Sequence, residues 1–292
     1  VKIEEPMGAG LTRVWQIDDV IVDTQTAFQH LVIGKTAQGV SLFCDNERQS
    51  TDFSQLVYHE ALMVPALLLA AKVERVLVVG SSEGVVCQMA VAAGASVVDH
   101  VDIDTEAVKL CAQHLPYGYT TSELELAEQG NGPVRVHYTD GWEFIRTSKE
   151  KYDIVLVDLP DEQDDTESML DPASRSSVAQ HNRLYGEEFL QLCKGLLAEG
   201  GVVAYQGGCP TLWRNSTLVK CWRRFEQVFE TPVYFGSDEH EWAYFFGTTS
   251  GDTAQENPVE TMVARLATLP YRPTTIDALT LKGSTVPPIS LR

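Results

Sequence analysis

Asp158 closes the apolar run Asp153-Ile-Val-Leu-Val, and Asp161 follows three residues later. A carboxylate at the carboxyl end of a buried strand sits on the edge where open α/β sheets bind ligands. From there it can accept a proton as a general base, or hold a cation through a charge-assisted hydrogen bond. Glu162, Asp164, Asp165 and Glu167 extend the acidic stretch. Like charges crowded together oppose one another unless they share a cation. The stretch therefore predicts either a cationic substrate or an acidic loop, and 164–172 reads as loop in both cases.

Two further sets of residues belong with this chemistry. Gly80-Ser81-Ser82-Glu83-Gly84 ends one apolar run and directly precedes a helical stretch. Small residues there let the backbone turn tightly and approach a ligand closely. Asp102 and Asp104 follow about 20 residues later, where an acid commonly accepts hydrogen bonds from a ribose hydroxyl pair. The pair suggests an adenosine site, although GSSEG is not the GxGxxG fingerprint and a plain strand–turn–helix with a solvated acid would look the same. Asp140-Gly141 follows the run VRVHY, at the height where a neighbouring loop would meet an adenine. Taken alone, that dipeptide is most often just a turn.

The elements that must hold these residues are visible in the pattern. Residues 13–58 read as short strands joined in hairpins, with RVWQIDD, FQHLVIG and GVSLFCDN as the strands. From Val73 onward the runs 73–80, 96–103, 134–138, 153–159 and 201–206 read as fully buried strands. Helical stretches near 83–93, 105–114, 141–148 and 185–198 alternate with them. Such alternation predicts an α/β fold with a parallel sheet covered on both faces. The segment 234–247 reads as a closing antiparallel hairpin, 258–269 as a helix, and the end as a Pro-rich tail. The expected boundaries are 1–62 for a small N-terminal β-domain, 63–250 for the main domain and 251–292 for a C-terminal helix and tail.

Composition excludes several classes. With 41 acids against 22 bases among 292 residues, the formal charge is −19. That field repels a phosphate backbone, so no nucleic-acid partner is expected. The longest apolar stretch, Ala61–Ala71, contains Pro65 and is too short for a bilayer, which needs roughly 20 residues, so no membrane partner is expected. No secretory signal is visible, and six cysteines without CxxC spacing fit reduced thiols in the cytoplasm. The histidines are dispersed, so no metal site is expected.

In these residues the chain resembles the spermidine/spermine synthases, the polyamine aminopropyltransferases. Gln49-Ser50-Thr51 followed by Tyr58-His59-Glu60 matches the family's QxT…Y(H/Q)E segment. VLVVGSSEG stands for VLxIGGGDGG, VDID for VEID, TDGWEFI for GDGxxF, and YDIVLVDLPD for YDVIxxDxxDP. LYGEEF, TPVYF and the closing YRPTTIDALTLKGSTVPP continue the match in order, so the resemblance covers roughly 25–247 and reaches the end. It implies a Rossmann-like, methyltransferase-type sheet behind a small N-terminal β-hairpin domain, assembled as a homodimer or homotetramer. The implied reaction moves the aminopropyl group of decarboxylated S-adenosylmethionine, a co-substrate and not a cofactor, to a polyamine such as putrescine. Asp158 then matches the general base. Gln29, His59, Glu83, Asp102, Asp140 and Gly141 match positions that hold the donor. Tyr58, Asp161 and Tyr234 match positions that hold the acceptor amine.

Certain departures bear on specificity. Glu83 is one methylene longer than the family's Asp, Asp102 one shorter than its Glu, and Ser54-Gln55 replace an acidic pair. The chain between Asp161 and Leu184 is longer than usual, over the expected acceptor site. Acids at 162, 164 and 165, with Asp238, Glu239 and Glu241 in the hairpin, would suit the extra ammonium of spermidine if they faced the channel. The competing readings are an S-adenosylmethionine methyltransferase on the same core and a noncatalytic polyamine-binding paralogue.

Overall fold

The structure, a computed structural model, describes residues 1–8, 10–162, 181–237, 239–248 and 256–292. Asp164, Asp165, Glu167 and Asp238 lie outside the described residues, as does most of the acidic segment expected over the acceptor site. Its first six strands are β1 (Lys2–Gly8), β2 (Leu11–Gln16), β3 (Asp19–Gln25), β4 (His30–Thr36), β5 (Gly39–Cys44) and β6 (Glu47–Thr51). β1 and β2 pair as a ribbon, and β3 to β6 form an antiparallel sheet in chain order. β1 was not expected, because Pro6 argues against a strand. A two-stranded ribbon tolerates it, since each strand keeps a free edge. The period of two is nevertheless present: Ile3, Glu5 and Met7 are buried while their neighbours are exposed.

Helix α1 (Gln55–Leu69) leaves the small sheet and enters the main domain, so the boundary expected at 62/63 falls inside it. Every residue from His59 to Leu69 is buried. A helix enclosed on all sides has no polar stripe, which is why no helical period marked it in the sequence. Glu60 is fully buried within α1 and serves the tail. It accepts from Tyr271 Oη (2.8 Å) and from the backbone N–H groups of Thr274 and Thr275 (2.9 and 2.7 Å). Arg265 donates to the carbonyls of Leu68, Leu69 and Ala70, capping the end of the same helix.

The main sheet has seven strands in the order β12-β13-β11-β10-β7-β8-β9. β7 (Arg75–Gly80), β8 (Val97–Asp102), β9 (Val134–Tyr138), β10 (Tyr152–Asp158) and β11 (Leu197–Gly208) are parallel. β12 (Val233–Gly236) and β13 (Ala243–Thr248) close it as the expected antiparallel hairpin. One face packs against α1 and α2 (Val85–Ala92) through Leu62, Leu68, Val86 and Met89. The other is covered by α6 (Glu187–Gly195) and α7 (Ser216–Val228) through Phe189, Leu190, Trp222 and Phe225. Burial on both faces explains why these strands read as continuous apolar runs.

The remaining helices are α3 (Thr105–His114), α4 (Thr121–Glu128), α5 (Gly141–Thr147), α8 (Pro258–Leu266) and α9 (Ala278–Ser284). α3 joins the two sheets, since Ala107 and Cys111 pack with Leu31, Ile33 and Leu42 of the small one. That contact fixes the N-terminal strands over the carboxyl edge of the parallel sheet. Among the described residues, no helix is long and apolar enough to cross a membrane.

Candidate active site

The parallel strand order reverses between β7 and β10, and crevices open at such switch points. Gly80 lies at φ +80°, and a Cβ there would come within 2.1 Å of the Asp158 carbonyl oxygen. Only glycine fits that approach. Gly84 is similarly constrained, at φ +76° against the Tyr119 ring. The loop GSSEG therefore keeps glycine at 80 and 84, whereas Ser81 carries a side chain in the left-handed region, at φ +60°. The first of its serines, Ser81, donates its N–H to the Asp158 carbonyl at 3.1 Å. Ser82 contributes a hydroxyl that donates to Asp102 Oδ2 at 2.7 Å. His100 braces the turn from β8, its Nε2 meeting the Gly80 carbonyl at 2.9 Å. Burial pushes that imidazole down to about 4, so it stays neutral and donates there.

One cleft of about 380 Å³ opens above this edge, and nine of the ten expected residues line it. They are Gln29, Tyr58, His59, Glu83, Asp102, Asp140, Gly141, Asp158 and Asp161. Tyr234 is the exception. The register places it opposite Phe245, on the face that α7 covers, where it packs against Trp222 and Phe245. From the same hairpin it is Trp242 that reaches the cleft, three positions from Phe245 and so on the opposite face.

At the nucleoside end, Asp104 accepts from Thr26 Oγ1 (2.6 Å) and Gln29 Nε2 (3.0 Å), which holds Gln29 at the rim. Asp140 caps α5 by accepting from Trp142 N at 2.8 Å, and it takes Arg183 Nη2 at 2.5 Å. Gly141 sits close under Val79, where a Cβ would approach Cγ1 to 2.6 Å. Toward the other end, Tyr58 Oη donates to Asp158 Oδ1 at 2.5 Å. Burial, then the charge of Asp158, pushes the Tyr58 phenol well up, so it stays protonated and donating. Burial likewise raises Asp158, with His59 and the Tyr58 hydrogen bond opposing the rise. Asp161 accepts from Gln206 Nε2 (2.5 Å), Trp242 Nε1 (3.2 Å) and Arg214 Nη2 (3.4 Å).

Of the acids suggested for a longer amine, three lie among the described residues, and two of these are paired with arginines. Glu241 is paired with Arg13 at 2.6 Å and with Arg48. Glu162 is held by both terminal nitrogens of Arg224, and Glu239 is exposed. Sequence reasoning missed Gln206, Trp242, Arg183 and Arg214 as cleft residues. Gln206 did carry a signal, because it ends the run Val202–Tyr205 in the same way that Asp158 ends its own. The arginines carried none, since Arg214 is placed by a loop and Arg183 by the single 3₁₀ turn Arg183–Tyr185.

Asp102 permits a prediction of its own. Burial pushes its carboxyl from 3.8 up to about 6, with Asp104 and Glu83 adding and the Asp104 N–H and Ser82 opposing. The folded protein therefore binds this proton more tightly than the unfolded chain does. The resulting penalty is absent below the unfolded value and complete above the folded one. Asp102→Asn should stabilise the ligand-free protein by about 2–3 kcal/mol near neutral pH, and by almost nothing at about pH 3. Donor affinity should fall in the same variant. Denaturation at the two pH values checks this, and an equal gain at both would refute it.

The arrangement is a row of carboxylates along one cleft with a protonated tyrosine on the central one. Such a site can hold a nucleoside at one end, hold ammonium groups further along, and remove a proton between them. The chain is similar to several known proteins. The chain is 26% identical over 254 residues to a polyamine aminopropyltransferase of Saccharolobus islandicus, covering 85% of this chain and 78% of that protein. It is 25% identical over 273 residues to polyamine aminopropyltransferase 1 of Pseudomonas aeruginosa, covering 90% and 86%. Its fold matches a spermidine synthase solved with the transition-state analogue AdoDATO, with TM-score 0.81 and 17% identity over 100% of this chain and 94% of that one. The spermidine synthase of Thermotoga maritima gives TM-score 0.79, again at 17% identity over 100% and 94%. A family model, the spermine/spermidine synthase domain, matches residues 55–235, from the first turn of α1 to the closing hairpin. On that match, which spans more than half of the chain and includes Tyr58, Glu83, Asp102, Asp140 and Asp158 of the cleft, the chain belongs to the spermine/spermidine synthase family.

Proposed function

We propose that this polyamine aminopropyltransferase transfers the aminopropyl group of decarboxylated S-adenosylmethionine to putrescine, giving spermidine and 5′-methylthioadenosine. The observation that carries the reading is Glu83, which is buried and lines the cleft together with Asp102 and Asp158. An anion there suits a donor that ends in an ammonium and disfavours one that ends in a carboxylate. The acceptor amine begins as an ammonium with a pKa near about 10.4 and is not nucleophilic until it is deprotonated. Asp158 takes that proton, while Tyr58 orients its carboxylate. The nitrogen then attacks the aminopropyl carbon, the carbon–sulfur bond breaks, and the electron pair neutralises the sulfonium. The protein's share of the work is alignment.

Asp161 supports putrescine, because one carboxylate suits one remote ammonium. The pairing of Glu162 and Glu241 with arginines weighs against a longer acceptor. Six free, buried cysteines support a reducing compartment such as the cytoplasm. The test is donor choice. Wild type should bind the decarboxylated donor at least about 10-fold more tightly than intact S-adenosylmethionine, and Glu83→Gln should shrink the ratio. Equal affinity of the wild type for both donors would favour methyl transfer instead.

A further inference from the structure

Arg214 lies on the loop between β11 and α7, in the cleft wall beside Asp161. Its Nη2 is 3.4 Å from Asp161 Oδ2, and its Nη1 faces the thioether of Met7 at 3.9 Å. The other oxygen of Asp161 is already taken by the two neutral donors, Gln206 and Trp242. The carboxylate thus offers one oxygen to a cation, and a guanidinium stands in front of it. The contact is long for an arginine–carboxylate pair, uses one nitrogen of the fork, and leaves both side chains partly open to the cleft, at 21% and 16% exposure.

We propose that Arg214 is a specificity-determining residue, an internal cation that occupies the place of the acceptor's remote ammonium and is displaced when a diamine binds. The proposal rests on the aminopropyl-transfer reading, in which Asp161 holds that ammonium. An ammonium can approach Oδ2 more closely than the guanidinium now does, at about 2.7–2.9 Å, so exchange is feasible. Both cations cannot stay beside one oxygen without like-charge repulsion. Each diamine must therefore expel Arg214 before its far end is held, which raises the diamine's KM. A monoamine of equal length makes no such exchange. Arg214 accordingly narrows the preference for diamines over monoamines. A receptor for an acidic acceptor fits less well, because Glu5 and Glu47 line the same part of the wall.

The experiment compares three four-carbon acceptors, putrescine, 1-aminobutane and 4-aminobutanoate, in wild type, Arg214→Met and Arg214→Lys. Arg214→Met should lower the putrescine KM about 10-fold with a smaller change in kcat. The ratio of kcat/KM for putrescine over 1-aminobutane should rise accordingly, and Arg214→Lys should fall between. Arg214→Gln provides the same contrast if the methionine variant folds poorly. Putrescine affinity measured by calorimetry with 5′-methylthioadenosine bound should tighten in parallel. An unchanged or weaker affinity in Arg214→Met overturns the proposal, as does a wild type that prefers 4-aminobutanoate and loses it in that variant. Absence of transfer by the wild type, with tighter putrescine binding in Arg214→Met, would sink the transfer reading, and with it the role in acceptor choice, while leaving only the displacement of Arg214 by a diamine. Transfer by the wild type without tighter binding in Arg214→Met would sink the proposal alone.

Discussion

Asp158→Asn is expected to lower turnover at least about 100-fold, the lower end of what general-base catalysis contributes. The amide keeps the size of the side chain and can still accept from Tyr58 Oη, so the cleft should keep its shape. What it loses is the ability to take a proton from an alkylammonium. Donor affinity should change far less, because most groups expected to hold the donor, Gln29, Asp102, Asp140 and Gly141, lie on β8, α5 and the β3–β4 turn, away from β10. The pH profile adds a second check. Burial raises the Asp158 carboxyl, so the acid limb of activity should lie above the ordinary carboxylate range, with activity lost as pH falls through it. That limb should disappear from any residual activity of the amide variant. Turnover within a few-fold of wild type would remove Asp158 from the mechanism.

Glu60→Ala is expected to destabilise the fold by about 3–5 kcal/mol, the scale for removing one partner of a buried charged network. The Tyr271 hydroxyl, two backbone N–H groups and the Thr275 hydroxyl all donate to this carboxylate. Deleting it leaves those donors without an acceptor inside the protein. Gln at this position should cost less but still cost, since its amide nitrogen would face donors. Urea denaturation measures both variants. A loss under about 1 kcal/mol for Ala would mean that the tail relaxes and finds water. Glu60 stands directly after Tyr58 and His59 in the sequence motif. The structure assigns it to holding the C-terminal tail against α1, outside the lining of the cleft.

Much of this was legible, for physical reasons. Parallel strands buried on both faces leave unbroken apolar runs, and a charged residue ending such a run stands out. Asp158 was found in that way, Asp102 by its spacing from the glycine loop, and the rule for strand ends applied to Gln206 would have found it. Glycines 80 and 84 were legible because the backbone there excludes side chains. Tyr234 was misplaced because a short motif gives the position of a residue but not the face of its strand. Facing is set by register with β13, a long-range property. α1 escaped because complete burial erases amphipathic spacing, and Arg183 and Arg214 because the geometry of single turns and loops is not written in local pattern.

Contacts in the cleft and in the fold around it join distant parts of the chain. Tyr58 and Asp158 are 100 residues apart, Arg13 and Glu241 are 228 apart, and Glu60 and Thr275 are 215 apart. Closing such loops sacrifices chain entropy before any contact compensates for it. Folding dominated by distant pairing of this kind is slow, and it exposes strand edges while it proceeds. In kinetic terms, then, assembly of the cleft is expected to follow the local turns and hairpins, so a newly made chain gains its binding surface only when its distant parts have met.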